Sequence, residues 1–160
     1  MIILGISMGE ISSACLIQDG RLLGASYEER FHRKKSWSGF PSKTIKYLLE
    51  SNNLKPNDID KIGIVNEQTS SLEYSLVQRH HSFDVKDYIK EAYDYYYPVL
   101  YKKKSLNYIK IFKDKIVNNI YPCKIQFQIE KFGENNKNSR DLRQQIVNEV
   151  LKIKDIKCQF

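Results

Sequence analysis

The chain has 160 residues, with 26 Lys and Arg against 19 Asp and Glu, and a formal net charge of +7. This length is enough for one domain with a sizeable core and without stabilising disulfides. Its three Cys residues, at positions 15, 123 and 158, form no Cys-x-x-Cys motif, which argues against a disulfide framework and a zinc site. No apolar run approaches the roughly 20 residues of a transmembrane helix, and no basic leader precedes an apolar stretch. We therefore expect a cytoplasmic protein with no membrane partner.

The positive excess lies entirely in the second half of the chain. Residues 85–160 carry sixteen Lys and Arg against nine Asp and Glu, whereas residues 1–84 carry ten of each. The segment YDYYYPVLYKKK interleaves aromatic and basic residues, as single-strand nucleic-acid binders do. A solvated amphipathic segment explains the same composition. A basic module that binds nucleic acid or another acidic partner is therefore an alternative function, although nucleic acid is not the expected partner.

Residues 1–66 are predicted to form a core of three strands, a helix and a fourth strand. MIILGIS predicts a buried first strand, and SACLIQ predicts a second. Asp19 and Gly20 suit a tight turn, so RLLGASYEER is predicted to be a third, antiparallel strand. Ser42 is predicted to cap a helix that presents Ile45, Leu48 and Leu49 on one face and ends near SNN. KIGIVN then predicts the fourth strand.

Residues 67–160 are predicted to be a helical insertion that returns to a strand. Helices are expected from Asp84 to Tyr96 and from Ser105 to Ile120, with Pro98 and Pro122 between elements. SRDLRQQIVNEVLK predicts a further helix capped by Ser139. DIKCQF, residues 155–160, predicts a short strand. The whole chain is interpreted as a single partial domain.

The residues at the start of the chain indicate a protein family more specifically than any of these patterns. It resembles the O-carbamoyltransferase family, which includes nodulation-factor and antibiotic carbamoyltransferases. The resemblance is firm over about residues 1–66 and is only topological beyond them. The matching residues are Gly5, Ile6, Ser7, Gly9, Ser13, Ala14, Asp19, Gly20, Glu28, Glu29, Arg30, Phe31, Arg33, Lys35, Gly39, Phe40 and Pro41.

The resemblance implies an α/β fold: an actin-like ATPase half-lobe, ribonuclease-H-like, whose mixed sheet begins with an antiparallel three-stranded meander and is flanked by helices. In the family, carbamoyl phosphate and ATP give a carbamoyladenylate, and the carbamoyl group is transferred to a hydroxyl of a sugar or natural-product acceptor. ATP is then a substrate. The resemblance also implies a missing C-terminal part as partner, and a metal ion, iron in the family, whose ligands are absent from this chain.

Seven residues are candidates for the site. By resemblance, Lys35 falls where the family places its active-site lysine. Arg30 and Arg33 are candidate cations for the adenylate phosphate, and an extended segment would point all three basic side chains to one face. The small residues Ser7, Gly9 and Ser13 would let a nucleotide approach backbone N–H groups closely.

Two departures from the family pattern concern catalysis. After Gly9 the family has a His-Asp pair, where this chain has Glu10 and Ile11; Glu10 is retained as a candidate acid–base residue, but Ile11 has no polar function. The family's His-His-x-x-His metal motif is absent. His80 and His81, adjacent on an extended chain, would point to opposite faces, so no metal site is expected there. The chain alone is expected to have little turnover, and a truncated, non-catalytic remnant is a further alternative.

Overall fold

The computed structural model describes residues 1–65, 72–132, 139–152 and 158–159, apart from the side chains of residues 132, 139, 158 and 159. These residues contain the strands β1 (Ile2–Ser7), β2 (Ser13–Gln18), β3 (Arg21–Tyr27), β4 (Lys61–Val65) and β5 (Cys158–Gln159). The strands form one mixed sheet in the order β3-β2-β1-β4-β5. Strands β1, β2 and β3 form an antiparallel meander, β4 lies parallel to β1, and β5 lies parallel to β4.

Helices flank this sheet, and the predicted α/β class with a mixed sheet is confirmed. None of the helices in the described ranges is long and apolar enough to cross a bilayer. The helices are α1 (Glu29–His32), α2 (Ser42–Ser51), α3 (Leu72–Val77), α4 (Arg79–Ser82), α5 (Val85–Lys90), α6 (Tyr97–Leu100), α7 (Tyr108–Ile111), α8 (Cys123–Phe132) and α9 (Ser139–Leu151). The longest helical stretch among the described residues runs from α5 through a π-helical segment, Glu91–Tyr96, into α6.

The four strands and the helix predicted in residues 1–65 are present, as is the helix of α9. The third strand is shorter than predicted, because it ends at Tyr27 and the chain turns into α1. The predicted strand at 155–160 is confirmed at its described residues, Cys158–Gln159. Residues 66, 155–157 and 160 lie outside the described part, and so does the side chain of the predicted cap Ser139.

Four helices were not predicted from the sequence: α1, α3, α4 and α8.

Two helix predictions in the second half need correction. The helix predicted from Asp84 to Tyr96 forms with Asp84 as its cap, but it continues past Tyr96 to Leu100, with Pro98 inside it. The single helix predicted from Ser105 to Ile120 is wrong. Only α7 and a 3-10 turn at Lys113–Lys115 form there, because the chain then leaves the helical path and the N–H of Val117 donates to the carbonyl of Leu76 at 2.8 Å.

The core lies between one face of the sheet and the helices. Alternate residues of β1 and β2 point into it, so Leu4, Ile6 and Leu16 are buried. Helix α2 packs on this face close to β3: a Cβ added at Gly24 would lie 2.9 Å from Cδ2 of Leu48. The close approach of α2 to the sheet therefore requires a residue without a side chain at position 24.

A carboxylate from outside the helix caps α2. Ser42 was predicted to be the cap, but it is the first helical residue, and Pro41 in the cap position offers no side-chain acceptor. The side chain of Glu28 accepts hydrogen bonds from the N–H groups of Lys43 (3.1 Å) and Thr44 (2.8 Å) and from the Thr44 hydroxyl (2.7 Å). Glu28 is fully buried. Its negative charge at the helix N-terminus is stabilised by the helix dipole as well as by these donors.

The same residue connects α2 to the loop between β1 and β2. The N–H of Glu28 donates to the carbonyl of Ser12 at 2.9 Å, and the N–H and hydroxyl of Ser12 both donate to the carbonyl of Trp37. His32 contributes a further contact, with its Nε2 3.1 Å from Oε1 of Glu28. Glu28 thus holds the β1–β2 loop, the end of β3 and the start of α2 in one arrangement.

Replacing Glu28 by Ala should lower the free energy of unfolding by about 2–4 kcal/mol, because the buried donors of Lys43 and Thr44 lose their acceptor. Urea unfolding followed by circular dichroism measures this change. The matched control is Glu50→Ala on the same helix, whose exposed carboxylate contacts only Lys46 at 3.8 Å. That change should stay within about 0.5 kcal/mol, and an equal loss in both variants would contradict the assigned role.

A second buried carboxylate organises the helical half. Nε and Nη2 of Arg79 each donate to Glu91 at 2.8 Å, and the hydroxyl of Tyr108 donates to the same carboxylate at 2.7 Å. The hydrogen bond to Glu91 raises the pKa of Arg79, and burial together with the Glu91 hydrogen bond raises the pKa of Tyr108. This network joins α4, the π-helical segment and α7.

Arg79→Met should reduce the free energy of unfolding by about 3–5 kcal/mol, since Glu91 would remain buried without its cation. Adding Glu91→Gln to that variant removes the uncompensated charge and should restore part of the loss, as measured by the same unfolding experiment. A double variant less stable than the sum of its single changes would contradict the ion-pair explanation.

Candidate functional site

A cavity of about 330 Å³ opens on the face of the sheet opposite α2. It lies where β1 ends and β2 begins, and Ser7 and Ser13 face each other there as register partners. Small side chains make the room: a Cβ added at Gly5 would lie 2.6 Å from Sγ of Cys15, its partner on β2. A larger residue at position 5 would displace Cys15. On β1 and β2 the small residues Gly5, Ser7 and Ser13 line the cavity, and Tyr27 and Val65 lie at its sides.

Arg30 is the cation among the residues that line this cavity. It lies on α1 and its side chain is exposed. Three of the residues predicted for the site, Ser7, Ser13 and Arg30, are therefore brought to the same cavity. Gly9 is buried in the loop that follows β1.

Arg33 and Lys35 lie apart from the cavity. The extended segment predicted for Arg30, Arg33 and Lys35 is wrong, because Glu29–His32 is helical and Arg33 has a left-handed φ of 55°. The Glu29 carboxylate accepts a hydrogen bond from the N–H of Ser36 at 2.7 Å and so closes the segment into a compact turn. Arg33 and Lys35 are exposed on this turn. The expectation of one shared face was also wrong for a strand, because Arg30 and Arg33 are three positions apart and would point to opposite faces.

The β1–β2 loop carries a second group of ionisable side chains. Oε2 of Glu10 lies 3.4 Å from Nε2 of His80, and these side chains are 44% and 32% exposed. The hydroxyl of Ser38 donates to the carbonyl of Glu10 at 3.2 Å. Buried Gln78 then holds Ser38 from both sides, donating to its carbonyl at 2.7 Å and accepting from its N–H at 3.3 Å.

Gln78 fixes the position of His80 as well. Its backbone has φ 46°, in the left-handed region, and the short helix α4 starts directly after it. The main chains that carry Glu10 and His80 are therefore joined by Ser38 and Gln78. Nothing in the sequence indicated this pair, because the two residues are 70 positions apart.

An aromatic stack lies beside this pair. The rings of His32 and Trp37 stack with their centroids 3.9 Å apart, and the ring of His81 lies 6.3 Å from that of Trp37. Burial, with the nearby positive charge of Lys43, lowers the pKa of His32 despite its contact with Glu28. Burial and Lys34 lower the pKa of His81. In both residues burial thus favours the neutral imidazole over the protonated form.

No three His, Cys, Asp or Glu side chains within the described ranges are placed to hold a metal ion together. The residues present thus do not fit the metal site that the resemblance implies for the family. Two aromatic residues after α1 have different surroundings: Phe40 is part of the core, whereas Trp37 is only partly buried and stacks on His32.

Two comparisons bear on the identity of this chain. A similar protein, an uncharacterised protein of Methanocaldococcus jannaschii, is 44% identical over 62 residues, which are 39% of this chain and 12% of that protein. The chain thus matches only a small part of its longer relative. The family model described as carbamoyltransferase N-terminus matches residues 2–155, well beyond the opening 66 residues. The chain therefore belongs to the carbamoyltransferase N-terminus family.

Proposed function

We propose that the chain forms one wall of the carbamoyl-transfer site of an O-carbamoyltransferase, within an actin-like lobe completed by a C-terminal part. The proposed donor is carbamoyladenylate, made from carbamoyl phosphate and ATP, and the proposed acceptor is a hydroxyl of a sugar or natural product. The observation that carries the proposal is the cavity that places Arg30 beside the hydroxyls of Ser7 and Ser13. Family membership supports the transferase class.

The cavity suits the phosphate end of an adenylate. Arg30 can make paired hydrogen bonds to phosphate oxygens through its planar guanidinium. The hydroxyls of Ser7 and Ser13 add donors, and the small side chains of Gly5 and Cys15 leave space for the nucleotide. Arg30 is accordingly the first candidate for phosphate binding. Lys35 keeps the catalytic role that the resemblance implies, from a position on the neighbouring exposed turn.

The transfer itself requires a base. The acceptor oxygen bonds to the carbonyl carbon, the bond from that carbon to the phosphate oxygen breaks, and AMP leaves while the hydroxyl proton passes to the base. We assign this proton to the Glu10 and His80 pair, because a carboxylate that contacts an imidazole orients it and stabilises its protonated form. No step is assigned to a metal ion.

Arg30→Ala should weaken ATP binding by about tenfold or more, the value of a charge-assisted hydrogen bond. Isothermal titration of the chain with ATP, and separately with carbamoyl phosphate, measures this effect. Lys35→Ala should weaken binding less, and Arg21→Ala, an exposed arginine at the start of β3, should have no effect. Absence of binding by the wild-type chain would contradict the proposal and favour a non-catalytic remnant.

His80→Gln and Glu10→Gln should each lower the kcat of carbamoyl transfer by about 100-fold in the complete enzyme, because the acceptor proton loses its base. The control is His81→Gln, whose ring lies near Trp37 rather than Glu10. A loss of activity of the same size in the His81 variant would show that the change acts through folding of the segment.

A further inference from the structure

A row of exposed apolar and aromatic side chains follows the longest helical stretch. It repeats every fourth residue from the first turn of α5 to the residue after α6. The members are between 47% and 76% exposed: Val85, Ile89, Tyr93, Tyr97 and Tyr101. We call these five residues the tyrosine row. Leu100, also exposed, lies beside its end.

The π-helical segment keeps the tyrosine row on one face. In an α-helix each residue turns the chain by about 100°, so a step of four residues overshoots a full turn by about 40° and the row would wind around the helix. A π-helix has more than four residues per turn, so the same step falls short. Glu91–Tyr96 lies in the middle of the row. In this segment the row rotates around the helix axis in the opposite direction, which offsets its rotation in α5 and α6.

The two ends of the tyrosine row differ in charge. Exposed Asp84 and Lys86 flank Val85 with opposite charges, whereas exposed Lys102, Lys103 and Lys104 follow Tyr101. Nζ of Lys102 lies 5.1 Å from the ring centroid of Tyr97, so this ammonium group stays close to the row. A parallel copy of the same helix would bring the two lysine ends together, whereas an antiparallel copy would bring Lys102 of one chain opposite Asp84 of the other.

We propose that the tyrosine row is the interface of a homodimer in which residues 85–101 of two copies pack antiparallel. The spacing is symmetric about Tyr93, so Tyr93 meets Tyr93 of the second copy on the two-fold axis. Val85 then meets Tyr101, and Ile89 meets Tyr97. Lys102 of each copy lies opposite Asp84 of the other, and the interface is isologous, as a two-fold dimer requires.

A second helix fits this surface better than a nucleic acid does. Val85 and Ile89 are aliphatic and give no platform for stacking a base, whereas aliphatic and aromatic side chains interdigitate in helix packing. This dimer does not depend on the proposed carbamoyl transfer.

Sedimentation equilibrium of the chain tests the dimer. The wild-type chain should be a dimer, and Tyr93→Glu, which places two carboxylates on the axis, should raise the dissociation constant by about tenfold or more. Tyr47→Glu is the matched control, because Tyr47 is also an exposed tyrosine, 52% against 70% for Tyr93, and it lies on α2, outside the row. It should leave the dimer unchanged. A wild-type monomer, or a dimer insensitive to Tyr93→Glu, would overturn the proposal.

Disulfide cross-linking, with peptide mapping by mass spectrometry, tests the orientation. Tyr93→Cys should link to itself. Val85→Cys and Tyr101→Cys should each fail to self-link, but should link to each other when the two variants are mixed. Self-links at 85 and 101 would instead show a parallel pair and overturn the proposal. A monomer that binds an oligothymidylate probe, with loss of binding in Tyr93→Glu, would assign the row to nucleic acid and equally overturn it.

Discussion

The arrangement of the first half depends on the buried carboxylate of Glu28. It accepts the hydrogen bonds that begin α2, while its own N–H holds the β1–β2 loop through Ser12. A carboxylate without these donors could not remain buried at a cost the fold would tolerate. The matching Glu-Glu-Arg-Phe segment therefore has a structural function at its first glutamate, and it turns the chain so that Arg30 faces the cavity.

The cavity and the Glu10–His80 pair have different structural origins. The cavity forms because the small residues Gly5, Ser7 and Ser13 leave space on the face of the sheet opposite α2. The pair is made by hydrogen bonds across three loops, in which Ser38 and Gln78 fix the main chains of both partners. Changes in the helical half should therefore disturb the proposed acid–base pair more than the proposed nucleotide site.

Local patterns predicted the parts of the fold that local forces decide. Alternating apolar residues and the Asp19–Gly20 turn were sufficient for the meander, and the spacing of Ile45, Leu48 and Leu49 was sufficient for α2. The predictions were wrong where contacts between distant residues determine the structure. The carboxylate of Glu28, and not Ser42, caps α2. The helix predicted through Ile120 does not form, and the N–H of Val117 instead donates a hydrogen bond to the carbonyl of Leu76. The partners in Glu10–His80 are equally distant along the chain, so no pattern could show them.

The proposed function depends on a nucleotide that binds beside Arg30, on the face of the sheet opposite α2. Nitrogen-15 correlation spectra of the chain, recorded during addition of ATP, locate the binding surface most directly. We expect the largest shifts at the amides of Ser7, Ser13 and Arg30, around the cavity. Shifts confined to residues 93–104, or no saturable shifts at all, would contradict the account.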